Sequence, residues 1–237
     1  QFIRKQVIEA LLQKGAYFAQ LGQQEQGIAS YGLTIYDDVI RRCGTEVSFK
    51  RFIAEALSQK AGLLFHLDRQ EEALSLCDEI IQKFQNEQIP TLKRQVVGAL
   101  VCKGDALDWL DREAEALPVC DEVIRRFGNE TDIELKREVA KALYRKGYAL
   151  FSLKRYKEAL SVFDSFINTY GNTEELSLKR KTASALLLKG NSLSWLDRFS
   201  EARHACNEVI RRFGNETDSD LKESVEQARE NKKKFGG

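Results

Sequence analysis

The chain has 237 residues, 43% of them hydrophobic and 31% charged, with only two prolines; it is long enough for a sizeable core, and this composition favours helix. Lysine plus arginine (37) and aspartate plus glutamate (36) nearly cancel to a net charge of +1, which argues against the global positive field that gathers nucleic acid or anionic membrane. Five cysteines with no CxxC pair and no metal-ligand spacing argue against a disulfide framework and against zinc.

No window approaches the roughly 18 consecutive apolar residues of a membrane span, and the start carries no signal-peptide pattern; the expectation is a cytoplasmic protein without a membrane partner. Methionine is absent and a helical pattern is already running at Gln1, so the chain reads as a fragment of a larger protein.

In chain order, the first predicted element is a long helix through Ile3, Val7 and Leu11 with a small residue at Gly15, and it has no polar cap, which anticipates further repeats or another domain before Gln1. The same arrangement returns around Ala61, Gly104, Gly147 and Gly190, at successive spacings of 46, 43, 43 and 43 residues. Self-similarity at a period of this order marks a repeat architecture. Relative to this anchor, alanine lies five residues earlier (Ala10, Ala56, Ala99, Ala142, Ala185), leucine four earlier and leucine again six later. Gaps of three and four describe one face of a helix of about 20 residues.

A turn then reads LDRQEEA, LDREAEA, LKRYKEA or LDRFSEA, and a second helix follows through Ala73, Ala116, Ala159 and Ala202 to Phe84, Phe127, Tyr170 and Phe213. Each unit is therefore a hairpin of a longer helix A and a shorter helix B. The phrase EVIRRFGNETD, spelled at 122–132 and again at 208–218, reads as the end of helix B plus a loop. In this reading Gly128, Gly171 and Gly214 take a left-handed C-terminal cap, the arginine pairs complement the helix dipole, and NETD supplies N-cap chemistry for the next helix A.

Two irregularities stand out. Between Lys14 and Asp37 there are five more residues than between Lys60 and Asp78, so helix B of the first unit must be extended, bulged or broken. Pro118 falls inside helix B of the third unit, where it should bend the helix or cost a hydrogen bond. After Gly214 the chain begins helix A once more, with Leu221, Val225 and Ala228 in register, but the anchor becomes Lys233. That half-unit, about 221–233, has the polar outer side of a capping helix.

Cys77, Cys120 and Cys206 share one column, completed by Phe163, and read as small buried hydrophobes; Cys43 and Cys102 stand outside it. Lys14, Lys60, Lys103, Lys146 and Lys189 form another column, whose ammonium groups are expected to pair with helix-B acids such as Asp78, Asp121 and Asp164. His66 and His204 are the only histidines, without a sequence-local nucleophile or metal partner, and no phosphate-binding loop, dinucleotide fingerprint or hydrolase motif occurs. No catalytic residue, metal site or cofactor is expected.

The small residue in helix A, the alanine twelve positions later at the start of helix B, and the xRxxEA turn resemble the tetratricopeptide repeat across nearly all of residues 2–233. The chain departs from the usual 34-residue period, lacks the proline at the repeat end, and places the lysine column where the family has a large apolar residue. The resemblance implies a single all-α, right-handed alpha-alpha superhelix of five hairpins, about 2–48, 49–91, 92–134, 135–177 and 178–220, plus the capping helix. HEAT-type helix pairs, with a similar period, are the alternative fold.

It further implies a non-catalytic protein-interaction scaffold, in the bacterial style of such repeats, whose inner wall is lined by helix A. Carried over position by position, that wall contains Phe65, His66, Asp105, Asp108, Trp109, Tyr144, Tyr148, Phe151, Asn191 and Trp195, a mixture suited to an extended peptide or a partner helix. The basic and asparagine clamp with which some members grip a C-terminal carboxylate is incomplete, since Asn191 is present but Lys141 and Arg145 do not complete it. The acids at Asp105 and Asp108 speak against nucleic acid. Self-association through the irregular N-terminal repeat, giving a homo-oligomer, and service as a regulatory arm of an enzyme are the alternatives.

Overall fold

Two prolines in the whole sequence leave the backbone few places where a helix must stop. The computed structural model describes residues 2–22 and 26–235, and among them it contains no strand and eleven α-helices. These are α1 (Phe2–Gly22), α2 (Gln26–Cys43), α3 (Lys50–His66), α4 (Gln70–Phe84), α5 (Pro90–Trp109), α6 (Glu113–Phe127), α7 (Ile133–Ser152), α8 (Tyr156–Tyr170), α9 (Leu176–Trp195), α10 (Phe199–Phe213) and α11 (Ser219–Lys234). A 3-10 turn at Val47–Phe49 leads into α3. Gln1, which the sequence places in the first helix, lies outside the described residues. Odd-numbered helices up to α9 are the A helices and even-numbered ones the B helices; α5, α7 and α9 have 20 residues each, whereas α4, α6, α8 and α10 have 15.

The chain forms two compact units, Gln1–Arg112 with Thr131–Glu138 and Glu113–Glu130 with Val139–Gly237. In the first, each helix from α1 to α4 packs on its successor, and α3 also touches α1 and α5. In the second, α8 packs on α9, α9 on α10 and α10 on α11, while α11 reaches back to α9. A helix therefore buries its stripe against the neighbours before and after it, and the core is a series of such layers. Leu186, Val209, Phe213, Leu221 and Val225 form one of them.

The turn from A to B explains the LDR and LKR phrases. Arg69 N–H donates to Leu64 O (3.0 Å) and Asp68 N–H to Phe65 O (3.3 Å), the paired closure of a Schellman cap. The same two bonds recur from Arg112 and Asp111, from Arg155 and Lys154, and from Arg198 and Asp197. Closing a helix in this way requires one left-handed residue, and Asp68, Asp111, Lys154 and Asp197 take it with φ between 55 and 59°. Aspartate tolerates that region better than most residues; Lys154 pays roughly 1–2 kcal/mol for it. Three of these arginines then fold over the first turn of helix B: Arg69 donates to Glu72 at 2.6 Å, Arg155 to Glu158 and Arg198 to Glu201 at 2.7 Å. Hydrogen bonding from these arginines holds all three carboxyls below the usual range, in the helix turn that favours an anion.

This corrects the expectation that the left-handed caps lie at the end of helix B. Gly171 and Gly214 have φ of −66 and −61°, and among the described glycines only Gly44 has positive φ. Gly128, Gly171 and Gly214 are demanded by crowding instead. A β-carbon there would stand 2.4, 2.3 and 2.5 Å from the carbonyl oxygens of Ile124, Ile167 and Ile210. The NETD loops do cap the next helix: Asp218 Oδ1 accepts from Leu221 N–H at 3.2 Å, and Asp132 Oδ1 from Glu134 and Leu135 N–H at 3.0 and 3.1 Å. The acids of these loops also hold the helix A before them, Asp132 through Arg94 (2.5 Å), Asp218 through Arg180 (2.5 Å) and Glu216 through Lys179 (3.1 Å).

Four of the five column lysines pair as expected, each reaching the helix B that precedes it, while Lys14 lies over the Phe18 ring. Lys60 donates to Asp37, Lys103 to Asp78 and Lys146 to Asp121 at 2.6 Å, and Lys189 to Asp164 at 2.5 Å. The five extra residues of the first unit are accommodated by extension of both helices: α2 has 18 residues against 15 in α4, and α1 runs to Gly22, seven past its anchor, where α3 and α5 stop five past theirs; Tyr36 arrives opposite Gly15 as Phe163 does opposite Gly147. Pro118 does not end α6, which runs its full 15 residues. Cys43, Cys77, Cys120 and Cys206 are buried, and the five cysteines are thiols rather than disulfides. Burial pushes Cys43 and Cys206 up to about 11, and a hydrogen bond with Cys102, then burial, raises Cys77. Protonated thiols of this kind pack rather than react.

The anchor residue and the residue it faces on helix B are matched in size. A β-carbon on Gly147 would lie 2.5 Å from the Phe163 ring, whereas on Gly190 its nearest neighbours are Ala202 O at 3.4 Å, Ala205 Cβ at 3.6 Å and Cys206 Sγ at 3.7 Å. Gly147→Ala is expected to cost about 1–3 kcal/mol by overpacking, while Gly190→Ala should be neutral or stabilise by about 0.5–1 kcal/mol through helix propensity. Thermal and urea unfolding of the two variants, followed by circular dichroism, checks the contrast; equal effects would refute the size matching.

A second expectation concerns Glu208 in α10, which accepts from Arg211 at 2.6 and 2.8 Å and from Arg212 at 2.6 Å. These hydrogen bonds, that of Arg211 first, hold its pKa at about 2 against an ordinary 4.5. A depressed carboxyl stabilises the fold above its unfolded value and loses that contribution as the pH falls through its folded value. Glu208→Gln should therefore lower the unfolding free energy by about 1 kcal/mol at neutral pH, once solvent screening of an exposed pair is allowed for. The gap between parent and variant should close between about pH 4.5 and 2, and a gap constant with pH in urea titrations would contradict the assignment.

Candidate functional site

The side chains singled out from the sequence fall into two groups, one in each compact unit. In the first unit, α3 and α5 lie against each other and both end in the same left-handed turn, so the side chains of their last turns meet. The Phe65 ring stands edge-on to Trp109 (centroids 6.1 Å apart, planes at 86°) and to His66 (6.0 Å, 77°). Phe65 is half-buried and braces the other two, leaving His66 exposed and Trp109 65% exposed. Asp105 and Asp108, half-buried on the same final stretch of α5, each keep Oδ1 away from solvent. A fixed, exposed indole offers an apolar platform with a polar N–H at its edge.

In the second unit the corresponding cluster joins three elements. Phe151, near the end of α7, packs its ring against Tyr156 at the start of α8 (5.6 Å, 59°), and Tyr156 stacks on Trp195, the last residue of α9 (5.8 Å, 3°). Trp195 is nevertheless 68% exposed, and Tyr148 is also exposed. Arg155, adjacent to Tyr156 in sequence, is engaged by Glu158, so the charges next to this platform are already neutralised.

Tyr144 and Asn191 are engaged differently. The Tyr144 hydroxyl shares a hydrogen bond with Ser184 Oγ (2.7 Å), its ring meets Phe166 edge-on, and Lys181 Nζ lies over it at 4.9 Å. Asn191 Oδ1 accepts from Asn231 Nδ2 of α11 at 3.1 Å. Both side chains join neighbouring helices and are not part of the aromatic clusters.

Tyr156 is the member that sequence reasoning missed. Its column, Gln70, Glu113, Tyr156 and Phe199, is one of the variable positions of the turn, and Phe199 is also exposed. Variation at a position that packing does not dictate was the available signal. The second unit also holds a cleft of about 540 Å³ between α6, α7 and α8, lined by Leu117, Pro118, Leu150 and Val162 together with the paired Asp121 and Lys146. Among the described residues no group of three or more histidines, cysteines and acids could hold a metal ion, and no helix is long and apolar enough to cross a membrane.

Comparison with known proteins agrees with this architecture. The profile of the tetratricopeptide repeat matches residues 141–173, which span most of α7 and α8. A search of curated protein sequences finds no significant match. Among solved structures, YrrB, described as a tetratricopeptide-repeat protein with an unusual peptide-binding site, superposes with a TM-score of 0.56 at 16% identity, covering 91% of this chain and 88% of its own. TTC0263 of Thermus thermophilus, a thermophilic tetratricopeptide-repeat protein, gives 0.52 at 14% identity, with 94% and 98% covered. At such identities the likeness is one of fold, and tetratricopeptide-repeat proteins generally mediate protein–protein interactions. Residues 141–173 thus match the tetratricopeptide repeat, and the fold of the chain is that of the tetratricopeptide-repeat proteins.

Proposed function

We propose that the chain is a non-catalytic scaffold that receives an extended peptide or a partner helix in the groove lined by the A helices of each unit. The observation that carries this reading is the state of the two tryptophans. Trp109 and Trp195 are the only tryptophans in the sequence, and each is about two-thirds exposed while held against another aromatic ring. Exposing an indole costs solvation free energy, and a ring already braced loses little entropy when a ligand covers it. Aromatic anchors of this kind dominate binding energy at protein interfaces. The peptide-binding site reported for YrrB, which shares the fold, supports the same class of ligand.

Panning a random peptide library against the full chain tests the reading. Enriched sequences should carry an aromatic or aliphatic residue, and Trp109→Ala or Trp195→Ala should weaken their binding about tenfold or more. Tyr156→Ala should weaken binding at the second cluster by a smaller factor, because it removes the brace and leaves the indole. Both indoles lie at the surface, so these variants keep the fold. Enriched peptides that bind all three variants as well as the parent would remove the aromatic clusters from the proposal.

A further inference from the structure

The lysine pairs bring a second pair of columns together. Beside Lys60 and Asp37, paired at 2.6 Å, the Tyr36 hydroxyl donates to Gln59 Oε1 at 2.8 Å. Beside Lys189 and Asp164, paired at 2.5 Å, Leu188 and Phe163 belong to one apolar cluster. The residue two before the anchor of a helix A therefore meets, on the preceding helix B, the column that holds Cys77, Cys120, Phe163 and Cys206. Where Lys103 pairs with Asp78 at 2.6 Å, the two residues that meet are Cys102 and Cys77. Helix α4 packs on α5 there, the two thiols share a hydrogen bond, and at no other junction of the sequence do both columns carry sulfur. The two sulfurs are not equivalent. Cys77 is fully buried, whereas Cys102 is half-buried and reaches solvent. Their hydrogen bond raises Cys77, so the proton stays on that sulfur and Cys102 accepts it; a donor aimed at a sulfur favours its thiolate.

We propose that Cys77 and Cys102 are a modification site for peroxide, at which the two thiols close to a disulfide between α4 and α5. The Cys102 thiolate attacks one oxygen of hydrogen peroxide and the O–O bond breaks. Hydroxide leaves and takes up the former Cys102 proton as water, and Cys102 becomes a sulfenic acid. The Cys77 sulfur then attacks the sulfenic sulfur, the S–O bond breaks, and the hydroxyl departs as water with the Cys77 proton. In all, two thiols give up two electrons and one peroxide is reduced to two waters. Cys77, protonated and packed, does not react first; it resolves a neighbour that does. The Lys103 and Asp78 pair already holds the two helices in the register the bond needs. The bond ties α4 to α5, the helix that ends in Trp109, and involves no residue of the aromatic clusters, so the inference stands apart from the groove reading.

The test treats the full chain, reduced and freed of reductant, with hydrogen peroxide at a concentration that oxidises glutathione. Remaining thiols are alkylated in urea, and the peptides are mapped by mass spectrometry without reduction. The expected product is a single chain lighter by two hydrogens, in which the peptide of Cys77 is joined to that of Cys102 while Cys43, Cys120 and Cys206 are alkylated; dithiothreitol should restore the starting mass. The cross-link should raise the unfolding midpoint by about 5 °C. In Cys77→Ala the same treatment should carry Cys102 on to the sulfinic acid, and in Cys102→Ala Cys77 should remain a thiol. Recovery of both thiols alkylated in the treated parent would overturn the inference. So would a Cys102 sulfinic acid beside an unchanged Cys77, or a link between the Cys102 residues of two chains. The peptide map of the parent decides the pairing by itself, so a variant that fails to fold does not weaken the result.

Discussion

The constraint from which the rest of the structure follows is that a helix A cannot hide its apolar stripe against its own helix B alone. The small anchor faces its own helix B, as Gly147 faces Phe163, while the stripe of columns through Ile53, Val96 or Val139 is buried and the lysine in line with it reaches the helix B before. Burying that stripe is worth on the order of 1.5–3 kcal/mol for each large side chain, far more than a partly exposed Lys–Asp pair contributes. Apolar burial therefore supplies the free energy of stacking, and the pair supplies its register. Each hairpin depends on the next, and stability becomes a property of neighbouring layers.

The loops have the same logic. In the repeated phrase the acids of NETD serve two helices at once. Asp218 caps α11 and holds Arg180 of α9, and Glu216 takes Lys179; Asp132 caps α7 and holds Arg94. The repeated phrase thus combines a cap, a crowded glycine and a bridge to the preceding helix A. The turns at the other end of each hairpin close differently, through a left-handed aspartate or lysine and an arginine to glutamate clasp. What remains less constrained is a set of positions in the last turn of helix A and the first of helix B, and there Trp109, Trp195 and Phe199 stand exposed.

How much of this was legible in the sequence depended on whether the interaction recurs with the repeat. The hairpins, the pairing of Lys103, Lys146 and Lys189, and the caps at Asp132 and Asp218 were readable because each column presents the same chemistry several times. Of the candidate wall, Phe65, His66, Trp109, Phe151 and Trp195 join ring to ring, directly or through Tyr156. Tyr144 and Asn191 occupy equivalent columns but are tied to Ser184 and Asn231. A column specifies which side of a helix a residue occupies, and its neighbours specify whether it is free to meet a ligand.

By itself the sequence determined the class of fold, the order of long and short helices and the pairs that hold successive layers in register, since these follow from periodicity and from local backbone chemistry. Only the tertiary structure decided that the left-handed residue belongs to the turn after helix A, that Gly128, Gly171 and Gly214 answer to a nearby carbonyl, and that Tyr156 stacks under Trp195. The physical reason is distance. A backbone carbonyl crowding a β-carbon or a ring seated under an indole is a contact between atoms whose separation no spacing along the chain encodes, and it exists only once neighbouring helices have packed.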